Sequence, residues 1–131
     1  MMLLTKAQRE KLLDNGRRQA AVKGTPSEID FFPVVKLFNP CGAATWLLTE
    51  IEPDDPDIAW GLCDLGMGFP EFGTVSLTEL AAYRGRLGLG IERDLHFEAR
   101  GPISAYIAAA TKANRIVETI DAQEVVKGGA P

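Results

Sequence analysis

The 131-residue chain is poor in the side chains from which many functional sites are built. It has two cysteines and one histidine, widely spaced along the chain, and these are too few for a four-ligand zinc site. No apolar run approaches the roughly 20 residues that cross a bilayer, and the opening turns polar after Leu4, unlike a secretory signal. We therefore expect a cytoplasmic protein with no membrane contact, reduced Cys41 and Cys63, and neither a metal nor a cofactor.

Basic residues are missing from the middle of the chain. Between Lys36 and Arg84 there is no lysine or arginine, but there are eight acidic residues. They are Glu50, Glu52, Asp54, Asp55, Asp57, Asp64, Glu71 and Glu79. If the fold keeps this segment together, its surface favours a basic partner; the simpler interpretation is that five of the eight solvate one turn. The net charge of −4 and the lack of aromatic residues among the N-terminal basic ones argue against nucleic-acid binding.

The composition that is present, 46% hydrophobic and 24% charged, is typical of one globular domain. We expect a single domain over residues 1–131, with a frayed tail from about 118. Capping boxes predict helices that begin after Thr5 and after Ser76. Asn15-Gly16 is predicted to end the first helix, and Pro102 to lie in the first turn of a last helix over about 103–115.

An antiparallel hairpin is the clearest local feature. Strands are predicted at about 44–51 and 58–65, joined by an acidic turn with two prolines. The period of two predicts that Trp46 and Trp60 lie on one face. Further strands are predicted at 34–38, 74–75 and 94–99. The predicted fold class is α+β, a small and mainly antiparallel sheet with helices packed against it.

Two groups of residues could carry chemistry. Cys63, Asp64, Asp94 and His96 are the plausible nucleophile–base set, because thiol attack needs a base and a group that orients it; cysteines in strands, however, are usually buried and inert. The aspartates between Glu52 and Asp57 lack the spacing of a calcium loop. We therefore leave open whether the protein is an enzyme.

The segment 66–73 is the best candidate for a binding surface. It contains three glycines and a proline, which predict irregular structure, and it carries Met67, Phe69 and Phe72. Large apolar side chains on a loop can anchor a partner. The alternative is that they fold inward and cover the sheet as a plug.

Several stretches of the chain resemble one bacterial family. PVVKLFNP, ATWLLTEIEPDDPDIAWGLCDLGMGFPEFGTVSLTEL and ERDLHFEA are similar to domain-of-unknown-function family 2958, and the similarity runs from the opening MLLTKAQREKLL to about Ile107. The phrase from Gly61 to Gly66 is its most specific part. The resemblance implies a small protein often encoded on plasmids and other mobile elements, and it implies no catalytic residue.

The sequence therefore favours an accessory protein of a mobile element that binds a protein with a basic surface. Its specific form would be interference with a DNA-handling or defence protein. The binding residues would be Glu50, Glu52, Asp54, Asp55, Asp57, Met67, Phe69 and Phe72. The alternative is a small enzyme that uses Asp64, Asp94 and His96 in a pocket at the end of the sheet.

Overall fold

The structure, a computed structural model, describes residues 2–120. Its elements are α1 (Lys6–Ala20), β1 (Val35–Phe38), β2 (Thr45–Ile51), β3 (Ile58–Asp64), β4 (Glu71–Ser76), α2 (Leu77–Ala82), β5 (Glu92–Arg93) and α3 (Ile103–Ala113), with one 3-10 turn at Arg86–Gly88. Within these residues the five strands form one antiparallel sheet in the order β4-β3-β2-β1-β5. The predicted α+β class, with a small antiparallel sheet and packed helices, is confirmed.

The sheet has a core on each face. On the first, called the α1 face, side chains of β1, β2 and β3 pack with α1 and with the start of α2. These residues are Leu12, Val35, Leu37, Trp46, Leu48, Ile51, Ala59 and Leu77. On the second, the α3 face, Leu47 and Leu62 pack against Ile103, Tyr106 and Ala110. Helices on both faces explain why β2 is buried almost along its whole length.

The predicted hairpin of β2 and β3 is confirmed, but the predicted placement of the two tryptophans is wrong. Trp46 pairs with Cys63 and lies on the α1 face, whereas Trp60 pairs with Glu50 and lies on the α3 face. From Thr45 to Leu48 the register joins even positions of one strand to odd positions of the other, so Trp46 shares its face with Cys63 and not with Trp60. Alternation within each strand predicts the period, but the connecting turn sets the register, so the face could not be read from the period alone.

A β-bulge in β2 changes which residues face α3. The register of β2 against β3 shifts between Leu48 and Glu50, so Thr49 is the extra residue. If the earlier register continued, Glu50 would stand opposite Ala59 and point toward α1. The bulge instead places Glu50 opposite Trp60 on the α3 face.

Helix α1 does not end at Asn15-Gly16, as the sequence predicts, but continues to Ala20. The Asn15 side-chain Nδ2 donates a hydrogen bond of 2.9 Å to the Thr49 carbonyl. A Cβ on Gly16 would lie 1.8 Å from the Ile51 carbonyl oxygen. The two residues that resemble a helix stop are therefore the point at which α1 docks on β2. The predicted capping box of Thr5 and Gln8 is confirmed.

Other boundaries differ from the predicted ones. Strand β4 begins at Glu71, so the last part of the segment 66–73 is regular. The predicted strand 94–99 is not formed, because the backbone turns after β5 and Asp94 Oδ1 accepts a 2.9 Å hydrogen bond from the His96 N–H. The tail is predicted to fray from about residue 118, and its part beyond Ile120 lies outside the described residues. That residues 1–131 form a single domain stays a prediction. Among the helices within 2–120, none has the length and apolar character that would let it cross a membrane.

Because α1 approaches β2 so closely, a glycine-to-alanine substitution in this helix should destabilise the protein, which is opposite to the usual effect. Alanine normally stabilises a helix interior by about 1 kcal/mol relative to glycine. Gly16→Ala should instead lower the free energy of unfolding by about 1–3 kcal/mol, because the new Cβ pushes α1 away from Ile51. Urea unfolding measures this change. Lys11→Gly, at an exposed interior position of the same helix, is the control and should cost up to about 1 kcal/mol. A Gly16→Ala protein at least as stable as wild type would contradict the docking argument.

Candidate functional site

The predicted nucleophile–base set does not form one site. Cys63 and Asp64 end β3, whereas Asp94 follows β5, and β2 and β1 lie between those strands. This separation is about 14 Å at the usual strand spacing. Asp94 Oδ2 lies 3.5 Å from Lys36 Nζ, and His96 is exposed in the following turn. The topology therefore keeps the predicted base and its orienting group away from the thiol.

Asp64 joins two backbone segments through hydrogen bonds. Its Oδ1 accepts a hydrogen bond of 2.8 Å from the Gly66 N–H, and its Oδ2 accepts one of 2.9 Å from the Ile116 N–H. The carboxylate is buried. It thus ties the turn after β3 to the segment after α3, and both oxygens are used in doing so.

Cys63 is a poor nucleophile. Burial raises the pKa of its thiol from the ordinary 9.0 to about 11, and the thiolate is the reactive form. The side chain packs at the margin of the α1-face core. Cys41, by contrast, is exposed in the loop between β1 and β2.

Asp57 is a structural cap. Its Oδ2 accepts a 2.6 Å hydrogen bond from the Ser76 hydroxyl, and its Oδ1 accepts bonds of 2.8 Å and 2.6 Å from the Thr78 N–H and hydroxyl. These bonds lower the pKa of Asp57. Since they connect the β2–β3 turn to the start of α2, the carboxylate is not free to meet a partner.

The remaining acidic residues do not form one surface. Glu52 Oε1 accepts a 2.6 Å hydrogen bond from the Trp60 indole and lies 3.7 Å from Lys23 Nζ. Lys23, which is distant in sequence, therefore lies beside this turn. Asp54 and Asp55 are exposed, whereas Glu50, one of the binding residues predicted from the sequence, is buried.

The apolar side chains around the segment 66–73 point outward. Leu65, Met67, Phe69 and Phe72 have exposed fractions of 59%, 70%, 78% and 41%, and we call these four residues the apolar patch. They line a cleft of about 430 Å³ beside β4. Of the two predicted alternatives, an exposed anchor and an inward plug, the structure has the exposed one.

A second cavity, of about 380 Å³, lies on the α3 face between the segment 28–31, β2 and α3. Phe31, Phe72, Ile103 and Ile107 supply its apolar walls. Glu50 lies in it with an exposed fraction of 6%, and we call it the Glu50 cavity. Phe72 stacks on Trp60 with ring centroids 5.8 Å apart and also belongs to the apolar patch. The patch and the cavity are therefore neighbouring parts of one surface.

The Glu50 carboxylate has few hydrogen-bond donors. The Thr49 hydroxyl lies 3.3 Å from Oε1 and also 3.3 Å from the Trp60 carbonyl oxygen, and one hydroxyl proton must serve both. Burial raises the pKa of Glu50, opposed by the Thr49 bond and by the charge of Lys23. The protonated form of Glu50 can donate to Thr49 Oγ while Thr49 donates to Trp60, which agrees with the direction of the pKa shift. No sequence signal identifies this residue, since its burial follows from the bulge.

A larger groove, of about 610 Å³, lies between the N-terminal segment and α2. Its ionisable side chains are Lys6, Arg9 and Asp57, of which Asp57 caps α2. Because no buried ionisable group faces this groove, it offers less chemistry than the Glu50 cavity. No three His, Cys, Asp or Glu side chains within residues 2–120 are grouped so as to hold a metal ion.

The two thiols should differ strongly in reactivity. At about pH 8, a shift of roughly two pKa units lowers the thiolate fraction of Cys63 about 100-fold relative to an ordinary thiol. The more basic thiolate is also the stronger nucleophile, which recovers part of this loss, so Cys41, which is exposed, should be alkylated by iodoacetamide at least ~10-fold faster. Mass spectrometry of Cys41→Ser and Cys63→Ser proteins measures each rate separately. Equal rates would show that Cys63 is an accessible thiolate and would restore it as a candidate nucleophile.

Glu50 should make stability depend on pH in a defined direction. Because its pKa is raised on folding, its contribution to stability is present below the ordinary value of 4.5 and is lost as pH rises through the folded-state pKa. Glu50→Gln keeps the neutral form, so its advantage in unfolding free energy over wild type should grow from about pH 4 to about pH 7. Urea unfolding at a series of pH values measures this, with Glu71→Gln, at an exposed position, as control. A constant difference at all pH values would count against a perturbed Glu50.

Comparison with known proteins identifies the family. The family model described as "Protein of unknown function (DUF2958)" matches residues 3–117, which include every strand and helix of the described part of the chain, the apolar patch and the Glu50 cavity. No curated protein and no solved structure matches the chain. The similarity noted in the sequence thus extends over most of its length, and the chain belongs to the DUF2958 family.

Proposed function

We propose that this protein is a binding module that holds an extended segment of a protein partner against β4 and the apolar patch. The observation that carries the proposal is the exposure of four large apolar side chains around one cleft. Contiguous apolar surface of this kind is typical of interaction sites. The patch combines aromatic rings with a methionine, and such side chains often dominate binding energy.

The position of β4 supports an extended partner segment. β4 is an edge strand that pairs with β3 on one side and has no strand on the other within residues 2–120. Edge strands are commonly protected by lysine, proline or a bulge, but Glu71–Ser76 contains no lysine and no proline. A partner strand could therefore add to the sheet through backbone hydrogen bonds, while the apolar patch receives its side chains.

The surface charge is a second and weaker determinant of which partner binds. Asp54, Asp55 and Glu71 are exposed, whereas Glu50, Glu52 and Asp57 have the internal roles described above. We therefore assign affinity mainly to the apolar patch and propose that the exposed carboxylates increase the association rate of a basic partner. The mobile-element setting implied by the family resemblance makes DNA-handling and defence proteins of the host the partners to examine first.

No observation favours the enzyme alternative. Asp64 uses both carboxylate oxygens on backbone N–H groups, and Asp94 is paired with Lys36. His96 is separated from Cys63 by the width of the sheet. We therefore propose binding rather than catalysis as the activity of this face.

Replacement of one aromatic residue tests the proposal. A partner would be captured from the native host, purified, and its binding to wild type and variants measured by surface plasmon resonance. Phe69→Ala should raise the dissociation constant roughly 10–100-fold, mainly through faster dissociation, because the ring loses its buried contact. Combined Asp54→Asn and Asp55→Asn changes should lower the association rate and weaken its salt dependence.

The matched control is Leu95→Ala. Leu95 is 67% exposed but follows β5 at the opposite edge of the sheet, so its truncation should leave binding unchanged. If Phe69→Ala binds like wild type, or if Leu95→Ala loses as much affinity, the partner does not dock on the apolar patch and the assignment fails.

A further inference from the structure

The Glu50 cavity combines features that seldom occur together without a ligand. Its walls are apolar, with Phe72, Ile103 and Ile107 among them, and its volume of about 380 Å³ falls in the range of small-ligand sites. Glu50, one of its polar lining residues, has an exposed fraction of only 6%. A buried carboxylate is costly unless it is paired or well hydrogen-bonded.

No neighbour of Glu50 among the described residues forms an ion pair with it. A side-chain hydrogen bond with Gln19 is the smallest of the influences on its pKa, and the Gln19 amide also donates to the Ile29 carbonyl at 2.8 Å and accepts from the Ile29 N–H at 2.9 Å. The Lys23 ammonium lies 4.1 Å from the centre of the Trp60 ring and 3.7 Å from Glu52. Glu50 therefore has no ion-pair partner within 4.0 Å among the described residues that would compete with a cation entering the cavity.

We propose that the Glu50 cavity binds an ammonium or guanidinium group carried on a short aliphatic stem. The cation makes charge-assisted hydrogen bonds to the Glu50 carboxylate, and the stem packs between Phe72 and the isoleucines of α3. Glu28 lies at the exposed margin and adds negative charge. Asp30 also lines the cavity, but both of its oxygens accept hydrogen bonds from Ser104, so it is held as a cap of α3.

The same chemistry can come from two sources. One is a free organic cation, whose binding does not depend on the proposed function. The other is an arginine or lysine side chain of the partner that docks on the neighbouring apolar patch, and this source rests on the proposed function. Because Phe72 belongs to both the patch and the cavity, a segment bound along β4 could place such a side chain beside Glu50.

Cation binding should be coupled to the ionisation of Glu50. The charged groups that face it are Lys23 after α1, Glu52 after β2, and Glu28 and Asp30 before β1; the lining residues of α3, which are Ile103, Ser104 and Ile107, carry no charge. A cation favours the carboxylate, whereas burial favours the protonated form by raising the pKa of Glu50, so cation binding and protonation of Glu50 oppose each other. Affinity for the cation should therefore increase as pH rises through the folded-state pKa.

A titration followed by amide NMR spectra tests the site. The full-length protein at constant ionic strength would be titrated with n-butylguanidinium chloride, and with n-butylurea as its neutral counterpart of the same shape. The guanidinium should shift the amide signals of Thr49, Glu50 and Ser104 saturably, and the urea should bind at least roughly tenfold more weakly. In Glu50→Gln the preference for the cation should disappear, while the rest of the spectrum shows that the fold is retained.

A second arm distinguishes the two sources. A blocked Gly-Arg-Gly peptide is compared with the same peptide containing citrulline, which lacks the charge. Tighter binding of the arginine peptide than of n-butylguanidinium assigns the cavity to a partner side chain, and the reverse order assigns it to a free cation. Leu95→Ala, at the opposite edge of the sheet, is the control and should leave both titrations unchanged. Neither titration uses the captured partner, so failure of the partner surface is seen separately. If neither cation gives saturable shifts at the cavity, or if Glu50→Gln binds them equally well, the proposal is wrong.

Discussion

The contact between α1 and the bulge in β2 is the constraint on which the rest of this structure depends. The extra residue of the bulge, Thr49, leaves a carbonyl that the Asn15 amide satisfies at 2.9 Å. Gly16 allows the helix backbone to come against Ile51, where any side chain would collide. The Asn15 Oδ1 is left without a hydrogen bond, which costs about 1–3 kcal/mol. That cost is offset by a buried bond to the bulge and by close packing of the helix on the sheet.

The bulge decides the chemistry of the opposite face. A shift of one residue exchanges the faces of all the positions that follow it, and here it carries Glu50 from the α1 face to the α3 face. There Glu50 meets the Thr49 hydroxyl and an apolar cavity, and burial raises its pKa. The same shift places Glu50 opposite Trp60, whose indole Nε1 bonds to Glu52 and whose ring lies beneath Lys23. A local irregularity in one strand therefore organises a whole group of polar side chains.

The acidic segment shows how proximity in sequence can mislead about a surface. Asp57 stabilises the start of α2, Asp64 holds two backbone segments, and Glu52 is paired with a lysine that lies far away in sequence. Asp57 and Asp64 accept hydrogen bonds in this way because free backbone N–H groups at helix starts and turns need acceptors. The negative charge left at the surface is modest, and the exposed hydrophobic side chains near β4 distinguish this face more clearly than its charge does.

The sequence by itself determined the local features of this protein. Thr5 and Ser76 predict helix starts because their hydroxyls accept from the first free N–H groups, and alternation with a proline-rich turn predicts the β2–β3 hairpin. Those interactions involve residues three positions apart or strands joined by a short turn. The tertiary structure alone decided the continuation of α1 through Asn15-Gly16, the face of each tryptophan and the burial of Glu50. Each of these depends on strand register or on contacts between segments distant in sequence, and a bulge leaves no mark in a run of β-forming residues. The exposure of Phe69 and Phe72 belongs to the same class, because an apolar side chain after a turn points inward or outward according to what the rest of the chain places against it.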